Sequence, residues 1–176
     1  FVLIPSYRDP ECHKTLKDLF EKAAKPERIF VGLVWQYDAV EDAEYLKDPY
    51  PRQDQVRVVH YSLDQCKGAG WARNEGLKLW QDEPYTLQIQ AHSRFVEGWD
   101  EQLLDMLARC PSEKPVLCLW PPNYSPSPKG DQYTNKVQPI RINSLGHPDD
   151  PQFVHLTSDF MEPGDPRQGL YPTPWW

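Results

Sequence analysis

The chain has 176 residues, 39% of them hydrophobic and 26% charged, with a formal net charge of −7. That length suits one domain with a core of its own, and the composition is that of an ordinary globular protein. The acidic balance argues against a nucleic-acid binder, which carries a basic face, and no apolar run approaches the roughly 20 residues of a membrane helix.

The chain opens on Phe1-Val2-Leu3-Ile4-Pro5, without an initiator Met or the basic start of a signal peptide. It reads as a domain taken from a longer protein. Cys12, Cys66, Cys110 and Cys118 match no zinc spacing. They read as free thiols in a reducing, cytoplasmic compartment, with a Cys110–Cys118 bridge left open.

Phe1–Ile4 is a short apolar run closed by a proline, the pattern of a buried parallel strand. Leu16, Leu19, Phe20, Ala23 and Ala24 then repeat at helical spacing, with Lys and Glu opposite, until Pro26 stops the helix. Arg28–Trp35 is a second strand, and the acidic stretch Asp38–Gln55 an irregular excursion. Val56–Tyr61 is a third strand, Trp71–Trp80 a helix and Thr86–Ile89 a fourth strand. Trp99, Leu103, Met106 and Leu107 mark a helix over Trp99–Ala108, and Pro115–Trp120 a fifth strand. Strands alternating with helices predict an α/β doubly wound sheet with right-handed crossovers. Thirteen of the 19 prolines lie in the last 66 residues, which predicts long loops there, with short strands at Val137–Ile142 and Phe153–Thr157. Loops on such a scaffold often form the acceptor side of a site. The division expected is a core over residues 1–125 and a Pro-rich region of the same domain over 126–176.

Ligands of open α/β sheets bind at the carboxyl ends of the strands. After the first strand come Pro5, Ser6, Tyr7, Arg8 and Asp9. Tyr7 can stack on a base and Arg8 can pair a phosphate through two bonds, while Asp9-Pro10 equally suits a helix start. After the second strand, Asp38 can accept the imide N–H of uracil or simply be solvated. After the third, Gly68-Ala69-Gly70-Trp71-Ala72-Arg73-Asn74 sets glycines before a helix start. Gly70 lets a diphosphate approach the backbone, and the helix N-terminus and Arg73 favour its charge. After the fourth, Gln90-Ala91-His92 offers a carbonyl oxygen and an imidazole to Mg²⁺ or Mn²⁺. A glutamine is a much poorer ligand for such an ion than an aspartate.

Several stretches carry a family likeness: Ile4-Pro5-Ser6-Tyr7-Arg8-Asp9-Pro10, Asp18-Leu19-Phe20-Glu21-Lys22-Ala23, Pro26-Glu27-Arg28-Ile29-Phe30-Val31-Gly32 with Trp35-Gln36, Trp71-Ala72-Arg73, and Leu87-Gln88-Ile89 running to Arg94-Phe95-Val96-Glu97-Gly98-Trp99-Asp100. On these the chain resembles the polypeptide-hydroxyproline N-acetylglucosaminyltransferase-type glycosyltransferases over about residues 1–125. The resemblance implies a GT-A fold with a mixed sheet. It also implies a UDP-sugar donor such as UDP-GlcNAc, a protein or glycan hydroxyl acceptor, a divalent cation (Mn²⁺ or Mg²⁺), and retention at the anomeric carbon. It places Pro5, Ser6, Tyr7, Arg8, Asp38, Gly70, Arg73 and Gln90 around the donor. Gln90 and His92 fall on the metal-contacting positions of an Asp-Ser-His triplet, where only His92 matches; no catalytic residue is assigned. The family's domain continues past residue 176, so the resemblance implies a C-terminally incomplete GT-A domain.

Two other readings stand beside it. Gln90 suits a donor-binding module without turnover. The seven tryptophans, with Trp175-Trp176 at the end, suit a protein-interaction domain.

Overall fold

The computed structural model describes residues 1–46, 51–117, 123–127, 130–133, 140–147 and 150–160. They fall into two compact units, Phe1–Asp105 and Met106–Trp176.

In the first unit, β1 (Val2–Tyr7), α1 (Cys12–Glu21), β2 (Val31–Tyr37), β3 (Val56–Ser62), α2 (Ala69–Leu77) and β4 (Leu87–Gln88) lead into α3 (Trp99–Arg109). The four strands form one sheet in the order β3-β2-β1-β4, and every pairing is parallel. The chain therefore grows outward through β2 and β3, then crosses back to place β4 on the far side of β1. The order reverses between β1 and β4, which is the topological switch point of a doubly wound sheet. The resemblance implies a mixed sheet; among the described residues this sheet is all parallel. Antiparallel pairing among the described residues is confined to two hairpin-like ladders of the second unit, β5 (Tyr124–Ser125) with β6 (Gln132–Tyr133), and β7 (Ile140–His147) with β8 (Asp150–Phe160).

Both faces of the sheet are covered. Val2 and Ile4 of β1, and Val31, Leu33 and Trp35 of β2, pack with Cys12, Leu16, Leu19 and Phe20 of α1 and Trp99 of α3. Trp99 is fixed further by its indole N–H, which donates to the Leu19 carbonyl at 2.9 Å. On the other face α2 lies so close that a Cβ built on Gly76 would sit 2.1 Å from Leu3 Cδ1 and 3.0 Å from Val34 Cγ2. Val31 through Gln36 are consequently all buried, as a central parallel strand requires.

Strand ends differ from expectation for a reason that matters below. β1 runs on through Pro5 and Ser6 to Tyr7, pairing Pro5↔Val34, Ser6↔Trp35 and Tyr7↔Gln36. Carbonyls of Phe1 and Leu3 accept from Leu87 and Ile89 of the β4 edge, while Val2 donates to Phe30 on the β2 edge. Backbone groups thus alternate sides, and Pro5 falls on the β4 side. Its missing N–H costs the β1–β2 ladder nothing. It does end the β1–β4 ladder, which is why β4 is short and residues 90–92 leave the sheet. β2 likewise extends to Tyr37, and α2 begins at Ala69 rather than Trp71.

The excursion after Asp38 contains two 3-10 turns, Ala43–Leu46 and Gln53–Gln55. The expected fifth strand is not formed over residues 115–117, where Val116 and Leu117 are exposed and unpaired with any strand; residues 118–120 lie outside the described residues. Of the two short strands expected near the end, the first is described from Ile140 and the second is part of the longer β8. Cys12, Cys66 and Cys110 are free thiols, and Cys118, the other partner of the bridge left open above, lies outside the described residues. Burial pushes the Cys12 thiol up to about 12, which makes it an inert core group. No helix among the described residues is long and apolar enough to cross a membrane.

Candidate functional site

The carboxyl ends of β1 and β4 flank the switch point, and α1 organises both. Glu11, Thr15, Asp18 and Lys22 lie along one side of α1 at successive spacings of four, three and four residues, which places them in one stripe. Each holds the segment that follows β4. Arg94 pairs with Glu11 at 2.5 Å. The Thr15 hydroxyl, fully buried, donates to the carbonyl of Ala91 at 2.6 Å and accepts the N–H of Ser93 at 3.0 Å. Asp18 accepts the N–H of Phe95 at 2.6 Å, and Lys22 donates to the Phe95 carbonyl at 2.8 Å. Asp100 closes the clamp by accepting the N–H groups of Ala24 and Lys25 at 2.7 and 2.9 Å. Burial works against ionisation of Asp100, but these backbone donors outweigh it and hold the carboxyl below the ordinary carboxylate range. The motif stretch 18–23 and the run from Leu87 to Asp100 thus meet in one clamp, completed by Glu11 and Thr15 from between the quoted stretches.

The clamp presents Gln90-Ala91-His92 as a short turn, with the Ser93 hydroxyl donating to the Gln90 carbonyl at 2.8 Å. Ala91 is buried, while Gln90 and His92 are exposed. His92 Nδ1 lies 2.7 Å from Asp9 Oδ2, joining the residue after β4 to the residue just past β1. The other oxygen of Asp9 accepts the Glu11 N–H at 2.9 Å. In sequence Asp9 suits a strand-end site and a helix start alike; its contact with His92 spans 83 positions and has no local signal.

Other expected site residues are placed as follows. Pro5 is half-buried in β1, and Tyr7 is exposed at its end. Ser6 is fully buried among the core residues rather than at an open strand end, with its hydroxyl beside the Cys12 thiol. Arg8 adopts a left-handed backbone, φ 51°, at the turn out of β1. Its guanidinium is used within the protein: Nε and Nη2 donate to the Asp42 carboxylate at 2.9 and 3.0 Å, and Nη2 reaches Glu41 at 2.5 Å. Arg8 in turn holds the Asp42 carboxyl below its usual range. Asp38 Oδ1 accepts the N–H groups of Val40 and Glu41, both at 2.9 Å, which lowers its carboxyl as well. Its second oxygen has no hydrogen-bond partner among the described residues.

At the carboxyl end of β3, Gly68 caps α2 with φ 91°, a backbone only glycine adopts without strain. Gly70 sits in the first turn with open space around it, so no neighbour demands a glycine there. The cap supplies no side chain to α2, leaving its first N–H groups to an outside acceptor. Arg73, one turn on, is half-buried, and its Nε is shielded from solvent without a hydrogen-bond partner. Trp71 packs edge-on against Tyr61, whose hydroxyl donates to Glu75 at 2.9 Å.

The donor set for a divalent ion is small. Among the described residues no three His, Cys, Asp or Glu side chains converge. An imidazole whose Nδ1 is held by a carboxylate is nevertheless the form in which histidine ligates metals. His92 is the single such side chain among the residues expected to contact a metal, and Gln90 adds only a neutral amide oxygen.

A family model described as glycosyltransferase (GlcNAc) matches residues 1–50 and 44–175. No curated protein and no solved structure matches the chain significantly. The match spans the parallel sheet, the α1 clamp and the helix start after β3, and the chain accordingly belongs to the glycosyltransferase (GlcNAc) family.

Proposed function

We propose that the strand ends around the switch point bind a UDP-sugar, GlcNAc or a close relative, and transfer the sugar with retention to a protein or glycan hydroxyl, hydroxyproline being the acceptor class implied by the resemblance. The fold we propose for this is GT-A. Glycosyl transfer in general follows from the family; the single observation that carries the finer reading is the Asp9–His92 pair across the β1 and β4 ends.

In this reading the diphosphate lies against the unsatisfied N–H groups that open α2, where the helix dipole favours negative charge. Arg73 supplies a full charge to it. The uncommitted oxygen of Asp38 accepts the uracil imide, and the exposed Tyr7 ring stacks on the base. His92 Nε2, with the Gln90 carbonyl beside it in sequence, would hold Mn²⁺ or Mg²⁺, which supplies Lewis-acid stabilisation of the departing diphosphate. Arg8 acts through the loop: by tying Asp42 and Glu41 to the end of β1 it positions Asp38. A retaining transfer lets the leaving phosphate take the acceptor proton, so the protein need not supply a strong base.

Calorimetric titration with UDP and ADP side by side tests this. UDP should bind more tightly, and equal or tighter ADP binding would sink the uracil assignment. A second reading, donor binding without turnover, is favoured by the neutral amide of Gln90 where the family triplet has a carboxylate. UDP binding with no transfer from UDP-GlcNAc to hydroxyproline peptides would establish it.

A further inference from the structure

We infer that Asp9 is a positioning residue that fixes the tautomer of His92, keeping the proton on Nδ1 so that the lone pair of Nε2 is available at the exposed edge of the ring. The purpose of this device rests on the function proposed above; its geometry does not.

An ionised carboxylate only accepts hydrogen bonds. With Asp9 Oδ2 at 2.7 Å, the facing Nδ1 must donate. In the neutral ring the hydrogen bond at one nitrogen decides which nitrogen carries the single proton, so that form keeps its lone pair on Nε2. A histidine without such a partner favours the opposite tautomer in water. The ring is 53% exposed and the Asp9 side chain 17% exposed, so the carboxylate is the fixed partner and the imidazole the one being oriented.

Backbone and ring are controlled separately. Thr15 holds the carbonyl of Ala91 and the N–H of Ser93, which sets where residue 92 sits. Asp9 does not touch that backbone; it bonds the ring and, through its other oxygen, the Glu11 N–H. This division gives the substitution Asp9→Asn a defined consequence. The amide oxygen stays on the Glu11 N–H, which preserves the turn. The amide NH₂ then faces His92 Nδ1 and donates to it, so the proton moves to Nε2 and the lone pair is withdrawn from the exposed edge.

The test uses the full chain in alkaline buffer without metal. Imidazole ¹⁵N spectra of wild type, Asp9→Asn and Asp9→Ala are assigned with a His92→Ala control. Wild type should show the Nδ1–H form. Asp9→Asn should invert to Nε2–H, and Asp9→Ala should move in the same direction. Titration of Mn²⁺ in the presence of UDP should show about a 10–100-fold weaker ion affinity in Asp9→Asn, the usual size for loss of a partner behind a ligating histidine. A wild-type ring protonated on Nε2, an Asp9→Asn ring still protonated on Nδ1, or equal Mn²⁺ affinity in the two proteins would each overturn the inference. Wild-type protein that binds neither UDP nor Mn²⁺ would instead defeat the function proposed above, and the tautomer spectra would still judge Asp9.

Discussion

Replacing Thr15 with valine should destabilise the first unit by about 2–4 kcal/mol. Thr15 is fully buried, and its hydroxyl both donates to Ala91 at 2.6 Å and accepts from Ser93 at 3.0 Å. Valine keeps the shape but leaves a carbonyl in a buried residue and a half-buried N–H without partners. Each such group costs roughly 1–3 kcal/mol, and the half-buried Ser93 N–H lies at the lower end because water can reach it. The control is Thr15→Ser, which keeps both bonds and loses one methyl, about 0.8 kcal/mol. Urea unfolding of the three proteins at neutral pH measures the difference, with the slope expected to stay constant. The valine protein should be the least stable by a clear margin. A valine variant within about 0.5 kcal/mol of wild type, the range of neutral surface changes, would show that the hydroxyl does not anchor the turn.

Arg73→Ala should weaken UDP binding by about 1.5–3 kcal/mol, the size of a hydrogen bond to a charged group, with the unfolding midpoint little changed; untouched binding with a lower midpoint would make Arg73 structural. Gln90→Asp should raise Mn²⁺ affinity in calorimetry, and the gain should vanish in a Gln90→Asp, His92→Ala double variant, since the two positions share one ion. Gly76→Ala should destabilise overall by up to about 2 kcal/mol in urea melts, because the overpacking cost of about 1–3 kcal/mol against Leu3 and Val34 exceeds the helix-propensity gain of about 1 kcal/mol; a stabilised variant would mean α2 shifts freely. Asp42 and Asp100 are both held below their ordinary range in the folded protein, so their contribution is complete above the unfolded-chain value near about 3.9 and is lost as pH falls through the lowered folded values. Acid titration of stability should therefore be shallower in Asp42→Asn and Asp100→Asn than in wild type.

The parallel core was legible because its strands are continuous apolar runs, as strands covered on both faces must be. Phe1–Ile4 and Ile29–Trp35 declared themselves in this way. Their ends were not, and Pro5 shows why. A proline reads as a stop, yet its missing N–H matters only on the side where it would have bonded, and that side belonged to β4. The stripe of Glu11, Thr15, Asp18 and Lys22 has a helical period in the sequence, but polarity alone does not tell a solvated residue from one that holds a neighbouring backbone. Ala72 and Gly76 of α2 are small residues four apart, a signal of close helix–sheet approach that is visible in the sequence. Asp9 and His92 are joined only through the sheet order. No local pattern carries that contact. The family likeness brought His92 to notice, whereas Asp9 needed the structure.

The most direct measurement is a map of where UDP binds. Backbone amide NMR shifts of the ¹⁵N-labelled chain, followed during UDP titration with diamagnetic Mg²⁺ present, report it residue by residue. The account predicts saturable shifts at Tyr7, Asp38, Gly70, Arg73 and His92, with ADP producing weaker changes at the same positions. Saturable shifts confined to other residues, or no shifts at these five, would contradict a donor site at the β1 and β4 ends.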